Sequence, residues 1–487
     1  MIYLVWTLPA LAVIAGIASG RLGTLAASLL GLGIAMVVAL AAAPIPFQLS
    51  DAAVALARGA WIGWIVVPYI LGGLLFWNIA MRPGSAAMPA EAAPADARAR
   101  RRLLFAACFL IGPFAESATG FGVGIIGTMM LVRRLDVAPI HLLAFGLLSQ
   151  TLILWGGMGS GAIIGAALAR TDPTTLAVHA SFVVTLFNAL WLMLYWRLAE
   201  QAGIGAGWRE RTGEAAWLGA SLALVIGATA LLGPETAMLA AYGPVIVLRW
   251  LVDARPDRPA LVRAMRRMAP FALLIGWLVL TRLLPPLTHF LEAAGRLHPF
   301  AGAPPWSPLF HAGTWLVAGA LLTGLARGRA PAFPAEIRAA WKTGRLAVLT
   351  IVTFAMMAEL LAGSGIAEGL ARGMFTALDR WAILATPLVS AVIGALANSG
   401  NGANGLFMAS QVSLATEAGL NVAAVIALQH AAALSLNLVS PVRMAIVCSL
   451  AGTPGRERDA YRIMMPFAVA VVAVLLACSV VVATRAV

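Results

Sequence analysis

Long apolar runs recur along the chain, with only short polar stretches between them. The full-length runs are 2–19, 22–43, 60–80, 137–157, 175–196, 216–233, 268–284, 308–326, 346–364, 422–447 and 463–484, and a shorter one covers 236–251. Each is near the ~20 apolar residues a helix needs to cross a bilayer, so the pattern predicts twelve membrane helices. The first run has no basic segment ahead of it and reads as a membrane helix, not a cleaved leader. Two segments break the pattern, LLFAACFLIGPFAESATGFGVGIIGTMML at 103–131 and WAILATPLVSAVIGALANSGNGANGLFMASQVSLATE at 381–417. Both are apolar at their ends and rich in Gly, Ser, Asn, Thr or Glu in the middle. Each half has about 11–17 residues, short for a crossing at ~1.5 Å rise per residue. Both read as re-entrant helical hairpins.

Composition agrees. Of 487 residues, 61% are hydrophobic and 11% charged, against ~25% charged in ordinary globular domains. A soluble enzyme, a disordered chain and a secreted disulfide scaffold are excluded. The three cysteines, Cys108, Cys448 and Cys478, lie in apolar runs without disulfide or zinc spacing.

The net charge of +13 comes from 33 basic and 20 acidic residues. The basic residues sit in short loops, where they report topology and not nucleic acid. With the N-terminus outside and each hairpin returning to its own side, 25 basic residues fall inside and seven outside, and Arg443 lies within a span. Passing 103–131 through the membrane once would invert the later loops and erase the bias. The expected fold is an all-α polytopic membrane protein, with about twelve transmembrane helices and two oppositely oriented re-entrant hairpins. Residues 1–487 form one transporter unit. A basic, Pro/Ala-rich cytoplasmic linker covers 82–102 and carries no chemistry. Each hairpin precedes a helix with small and polar residues in its middle, Ser149-Gln150-Thr151 with Gly156–Ser160, and Gln429-His430 with Asn437–Pro441. An inverted repeat follows, with cores 103–251 and 346–484, and such repeats hold a substrate near the midplane between broken helices.

The chemistry concentrates at the hairpin tips. In GPFAESATGFG at 112–122, a half-helix starting near Thr119 would turn its N–H groups toward the tip, giving Ser117, Thr119, Gly120 and Gly122 as an anion site. A glycine-rich packing motif is the competing reading. In NSGNGANG at 398–405, Ser399, Asn401 and Asn404 need partners in lipid, unless the segment is a plain extracellular turn. Arg443 has no acid in its own run; it suits a carboxylate unless it snorkels to headgroups. Ser440 stands beside it. Glu116, Glu235 and Glu359 are in-span acids that could carry a proton or serve structural ion pairs. His430 could join a relay or simply be hydrogen-bonded.

Around these residues the chain resembles the bacterial lactate permease family, over roughly 103–470. FAESATGFG at 114–122, GGMG at 156–159, GPE at 233–235, SGNGANGLFMASQ at 399–411 and LVSPVRMAIVCSLAGTPGRERDAYRI at 438–463 carry the resemblance. It implies a permease of the bacterial cytoplasmic (inner) membrane that takes up 2-hydroxy monocarboxylates such as lactate and glycolate with protons. A wider resemblance to two-hairpin carboxylate carriers implies a homodimer and a sliding transport domain. The chain departs from the family pattern at Gly400, where an Asp is usual, at Arg443, usually small and polar, and at Asn437, often Lys.

The expectation is therefore a secondary transporter, coupled to protons, with no cofactor, no metal and no nucleic-acid partner. The alternative is a sodium-coupled transporter of dicarboxylates or other organic anions; a single in-span Arg favours one carboxylate. An intramembrane enzyme is disfavoured, since HExxH is absent, and without a Walker A motif the chain is not itself an ATP-driven pump. Two opposed hairpins also favour alternating access over a channel.

Overall fold

The computed structural model describes residues 2–81, 96–120, 122–152 and 155–484. The expected linker at 82–102 lies outside the described residues over 82–95, as does Arg485. Among the described residues the protein is helical, with one isolated bridge between Leu297 and Trp306.

The chain begins with α1 (Ile2–Ala18), α2 (Thr24–Ala42) and the long α3 (Leu49–Met81). Next come α4 (Ala97–Ala106), a π turn at Ala107–Ile111 and α5 (Gly112–Thr119). Pro113 lacks an N–H and crowds the carbonyl four residues back, which accounts for the wider π register just ahead of it. The chain then reverses through Gly120 and Gly122, at φ 71° and 83°, values that glycine adopts without strain. It returns as α6 (Val123–Val132). Thr128 Oγ1 donates to Ala107 O at 3.2 Å, and a Cβ on Gly124 would stand 2.5 Å from Gly112 O, so α5 and α6 lie antiparallel in close contact. With 10 residues, α6 rises about 15 Å, half of a ~30 Å hydrocarbon core.

A broken helix follows, α7 (Pro139–Leu147) and α8 (Ser160–Ala169), then the long α9 (Pro173–Gln201). Positive φ at Gly156, Met158 and Gly159 marks the break. Next are α10 (Trp208–Leu232), α11 (Pro234–Ala254), α12 (Arg258–Leu283), the short α13 (Pro285–Ala293), α14 (Ala312–Ala326) and α15 (Phe333–Gly363).

The earlier succession of hairpin, broken helix and long helix then recurs. After α16 (Ile366–Leu378), the chain bends by 72° into α17 (Thr386–Ala397). Asn398 turns in the left-handed region at φ 51°, which Asn tolerates better than most residues. The chain returns as α18 (Gly400–Glu417), and Thr386 Oγ1 donates to Gln411 Oε1 at 2.9 Å across the arms. The second broken helix is α19 (Val422–Ser435) and α20 (Pro441–Leu450), followed by α21 (Glu457–Thr484). Pro441 cannot continue the ladder, and it holds Ser440 in an extended conformation at ψ 135°.

Among the described residues, ten helices are long and apolar enough to cross a membrane, or eleven if the bent pair counts as one span. The difference from twelve has local causes. Helices α1 and α14 have only 17 and 15 residues, and the run 137–157 is interrupted by its break. The first hairpin arm is longer than expected, a 23-residue stretch from Ala97 to Thr119. Its basic start is not a surface linker: Arg101 is buried, and its Nε and Nη2 donate to Glu214 at 2.6 and 2.8 Å.

The N-terminal and C-terminal parts of the chain interlock. Helix α3 packs along α15, α8 against α18, and α9 against α19 and α21. Small residues permit the close approach, as is usual where lipid offers no hydrophobic drive between helices; Gly59 and Gly63 lie directly on the α15 backbone at Met356 and Val352.

Candidate functional site

Both hairpin tips and both helix breaks face one cavity of about 470 Å³. Glu116, Gly120 and Gly122 line it from the first tip, and Asn398, Ser399, Gly400 and Asn401 from the second. The breaks add Gly156, Gly157, Ser160 and Gly161 on one side, and Asn437, Val442 and Arg443 on the other. The remaining wall is Gly23–Ala26 at the start of α2, with Thr343 and Thr350 on α15.

Arg443 lies in the first turn of α20, 7% exposed. Its Nε donates to Asn398 Oδ1 at 2.8 Å, and its Nη1 donates to Gln150 Oε1. Nη2 stands 3.9 Å from Glu116 Oε1. The guanidinium therefore touches the second tip, the first broken helix and the first tip together. It does not snorkel: its partners are protein groups from both hairpins and the first broken helix.

Glu116 is 1% exposed. Its Oε1 accepts from Gly122 N at 3.1 Å and its Oε2 from Gly124 N at 2.9 Å. The N-terminus of α6, expected to hold a substrate anion, is thus occupied by the chain's own carboxylate. Four other helices, α2, α8, α18 and α20, begin at the cavity, and none is capped by the side chain of its N-cap residue. Their first-turn N–H groups and dipoles leave a positive environment suited to one small anion.

The other expected residues divide. Gly120, Gly122, Ser399, Asn401 and Arg443 line the cavity; Ser117, Thr119, Asn404 and Ser440 do not, and all four are buried. Thr119 Oγ1 donates to Ala115 O at 2.7 Å, the back-bond of a helical hydroxyl. Asn404 is paired with His430 at 3.0 Å between its Nδ2 and the ring Nδ1. Glu359 sits in an ion pair, its Oε1 and Oε2 at 2.7 and 2.6 Å from Arg170 Nη2, with Arg58 Nη1 at 3.7 Å. Glu235 pairs with Arg282 at 3.1 Å. Of the three in-span acids, only Glu116 lines the cavity. Among the described residues, no group of three His, Cys, Asp or Glu could hold a metal ion.

Asn398, Gln150 and the wall residues Thr24, Thr343 and Thr350 escaped the sequence reading. The first two had a signal, lying within motifs already singled out. Thr24 and Thr350 sit in runs that look like ordinary membrane helix, and Thr343 in the basic stretch just before one.

The ion pairs also sort the ends of the molecule. Arg98 and Arg102 meet Glu210, and Arg102 meets Asp253, so loops assigned inside by charge share one end. Arg58 and Arg170 meet around Glu359, and Arg170 also donates to the carbonyl of Gly302.

The comparison with curated proteins gives no match. The family model described as L-lactate permease matches residues 306–486, a stretch holding the second hairpin, the second broken helix and α21. Asn398, Ser399, Asn401, Asn437 and Arg443 all fall within it, and over this part the multi-pass membrane chain is similar to the L-lactate permease family, a family of transporters.

Proposed function

We propose that the protein takes up 2-hydroxy monocarboxylates, such as lactate and glycolate, together with protons across the bacterial cytoplasmic membrane. The observation that carries this is the seating of Arg443 between both hairpin tips, beside Glu116, in a cavity where four uncapped helices begin. The family match supports lactate as cargo.

In this reading the substrate carboxylate binds Arg443 and the free N–H groups of α8, α18 and α20. Its planar geometry matches the guanidinium fork. The anion brings a second negative charge beside Glu116, and a proton taken up there cancels it. The tips form the moving part against α3 and α15, in a homodimer. The wall at Gly23–Ala26 and Thr343 adjoins Arg21 and Lys342, so the cavity faces the cytoplasm. At the far end the Arg170–Glu359 pair joins α8 to α15 and closes the outer path.

The test is uptake of labelled lactate into proteoliposomes under imposed proton or sodium gradients. Accumulation driven by the proton gradient supports the reading. Accumulation driven by sodium alone would replace it with the sodium-coupled alternative, for which the unpartnered oxygens of Asn401, Asn404, Asn437 and Ser440 are the supporting observation.

A further inference from the structure

The cavity contains two kinds of polar group. Donors dominate: the Arg443 guanidinium and the first turns of four helices. Acceptors are fewer, and most are engaged. Both oxygens of Glu116 accept backbone N–H groups, and the amide oxygens of Asn398 and Gln150 accept from Arg443. Two lining amide oxygens have no partner and are buried, Oδ1 of Asn401 and Oδ1 of Asn437. Asn437 is 1% exposed. It lies in the break between α19 and α20; Asn401 lies in the first turn of α18. The first turn of α18 packs against the last turn of α19, just ahead of that break, since a Cβ on Gly400 would run into Leu434.

An amide oxygen can only accept, unlike the hydroxyls of Ser160, Ser399 or Thr343, which rotate to donate or accept. A buried acceptor left empty carries a desolvation penalty. A carboxylate cannot relieve it, having no hydrogen to give. A hydroxyl on the carbon next to the carboxylate can, while the carboxylate stays on Arg443.

We propose that Asn437, with Asn401, receives the α-hydroxyl of the substrate and sets the preference for 2-hydroxy acids over acids lacking that hydroxyl. This rests on the reading of the cavity as a monocarboxylate site. A 2-alkanoate such as propionate leaves both oxygens unpaired. A 2-oxo acid such as pyruvate turns a second acceptor toward them. Sites built to bond a hydroxyl reject the analogue without it far more strongly than apolar pockets reject a missing methylene.

The experiment measures inhibition of labelled lactate uptake by unlabelled lactate, propionate and pyruvate, using the purified full-length protein in proteoliposomes. For the wild type, lactate should inhibit at least ~10-fold more tightly than either analogue, equivalent to one factor of ten in affinity. In Asn437→Leu, which keeps the volume and removes the acceptor, the lactate-to-propionate ratio should fall toward one. Asn437→Ser, which restores an acceptor, should recover part of it. If Asn437→Leu does not yield folded protein, Asn401→Ala and Asn437→Ser give the same readout, each lowering the ratio. A wild-type ratio kept in every folded variant overturns the proposal. So does a wild type that takes up lactate and propionate equally well, which leaves the monocarboxylate reading standing. A wild type that takes up neither acid overturns that reading, and this inference with it.

Discussion

Arg443 and Gln150, 293 positions apart in the chain, are joined by a hydrogen bond from the guanidinium to the amide oxygen. The bond links the second broken helix to the first across the cavity. The same guanidinium donates to Asn398, so one side chain ties the first broken helix to the second tip and holds them in register around the site.

Arg443→Lys should therefore weaken uptake without unfolding the protein. Lysine keeps the charge but cannot reach Asn398 and Gln150 together, and it loses the two-pronged grip on a carboxylate. An increase in KM of roughly tenfold or more is expected, in line with the ~1.5–3 kcal/mol of a charged hydrogen bond. Normal KM in Arg443→Lys and Arg443→Gln would remove Arg443 from the binding site.

Glu116→Gln should abolish proton-driven accumulation and retain exchange of labelled for unlabelled lactate. Exchange needs the anion site and the conformational change but no net proton release. Gln also keeps one oxygen to accept from Gly122 or Gly124, so the first tip should survive. Wild-type accumulation in this variant would move the proton elsewhere.

Glu359→Gln should separate ion pairing from coupling. It leaves Arg170, which is partly exposed, and Arg58 without their acid. A loss of about 1–3 kcal/mol is expected, below the 3–5 kcal/mol of a fully buried pair because water reaches Arg170. The melting temperature should drop while accumulation per folded molecule persists. Lost accumulation with unaltered melting would make Glu359 a proton carrier instead.

Gly400→Asp should prevent folding of the second tip, because any Cβ there meets Leu434. Gly400→Ala should be milder, and Leu434→Ala in the same chain should restore part of the folded yield by opening room. Independent effects of the two substitutions would show that the contact is unimportant.

Single cysteines at 133–136 and 453–462, placed on a background without Cys108, Cys448 and Cys478, should resist labelling from outside. Those at 285–306 should label. Strong external labelling at 133–136 would rule out a first hairpin that returns to its own side.

The parts of this architecture legible in the sequence were those where lipid makes a residue expensive. Glu116, Arg443 and the Asn-rich tip stood out because a charge or amide inside an apolar run demands a partner. The partners themselves were not legible. Glu359 finds Arg170 across 189 positions, and no local pattern encodes that. Nor did spacing reveal that Glu116 would cover the end of α6, which follows from the reversal at Gly120 and Gly122 folding α6 back over α5. Thr24, Thr343 and Thr350 entered the wall because α2 and α15 pack beside the tips, a tertiary fact with no signature in their own runs.

The 3.9 Å approach of Arg443 to Glu116 has an electrical meaning for the proposed cycle. The vacant site carries one positive and one negative side chain and is neutral. The occupied site adds one anion and one proton and is neutral again. Both crossings are then electrically silent. The membrane voltage, worth about 2.3 kcal/mol per charge at 100 mV, neither pulls cargo in nor hinders the empty return. Net flux follows only the concentrations of acid and substrate on the two sides, and it reverses when the cell has more lactate to shed than to collect.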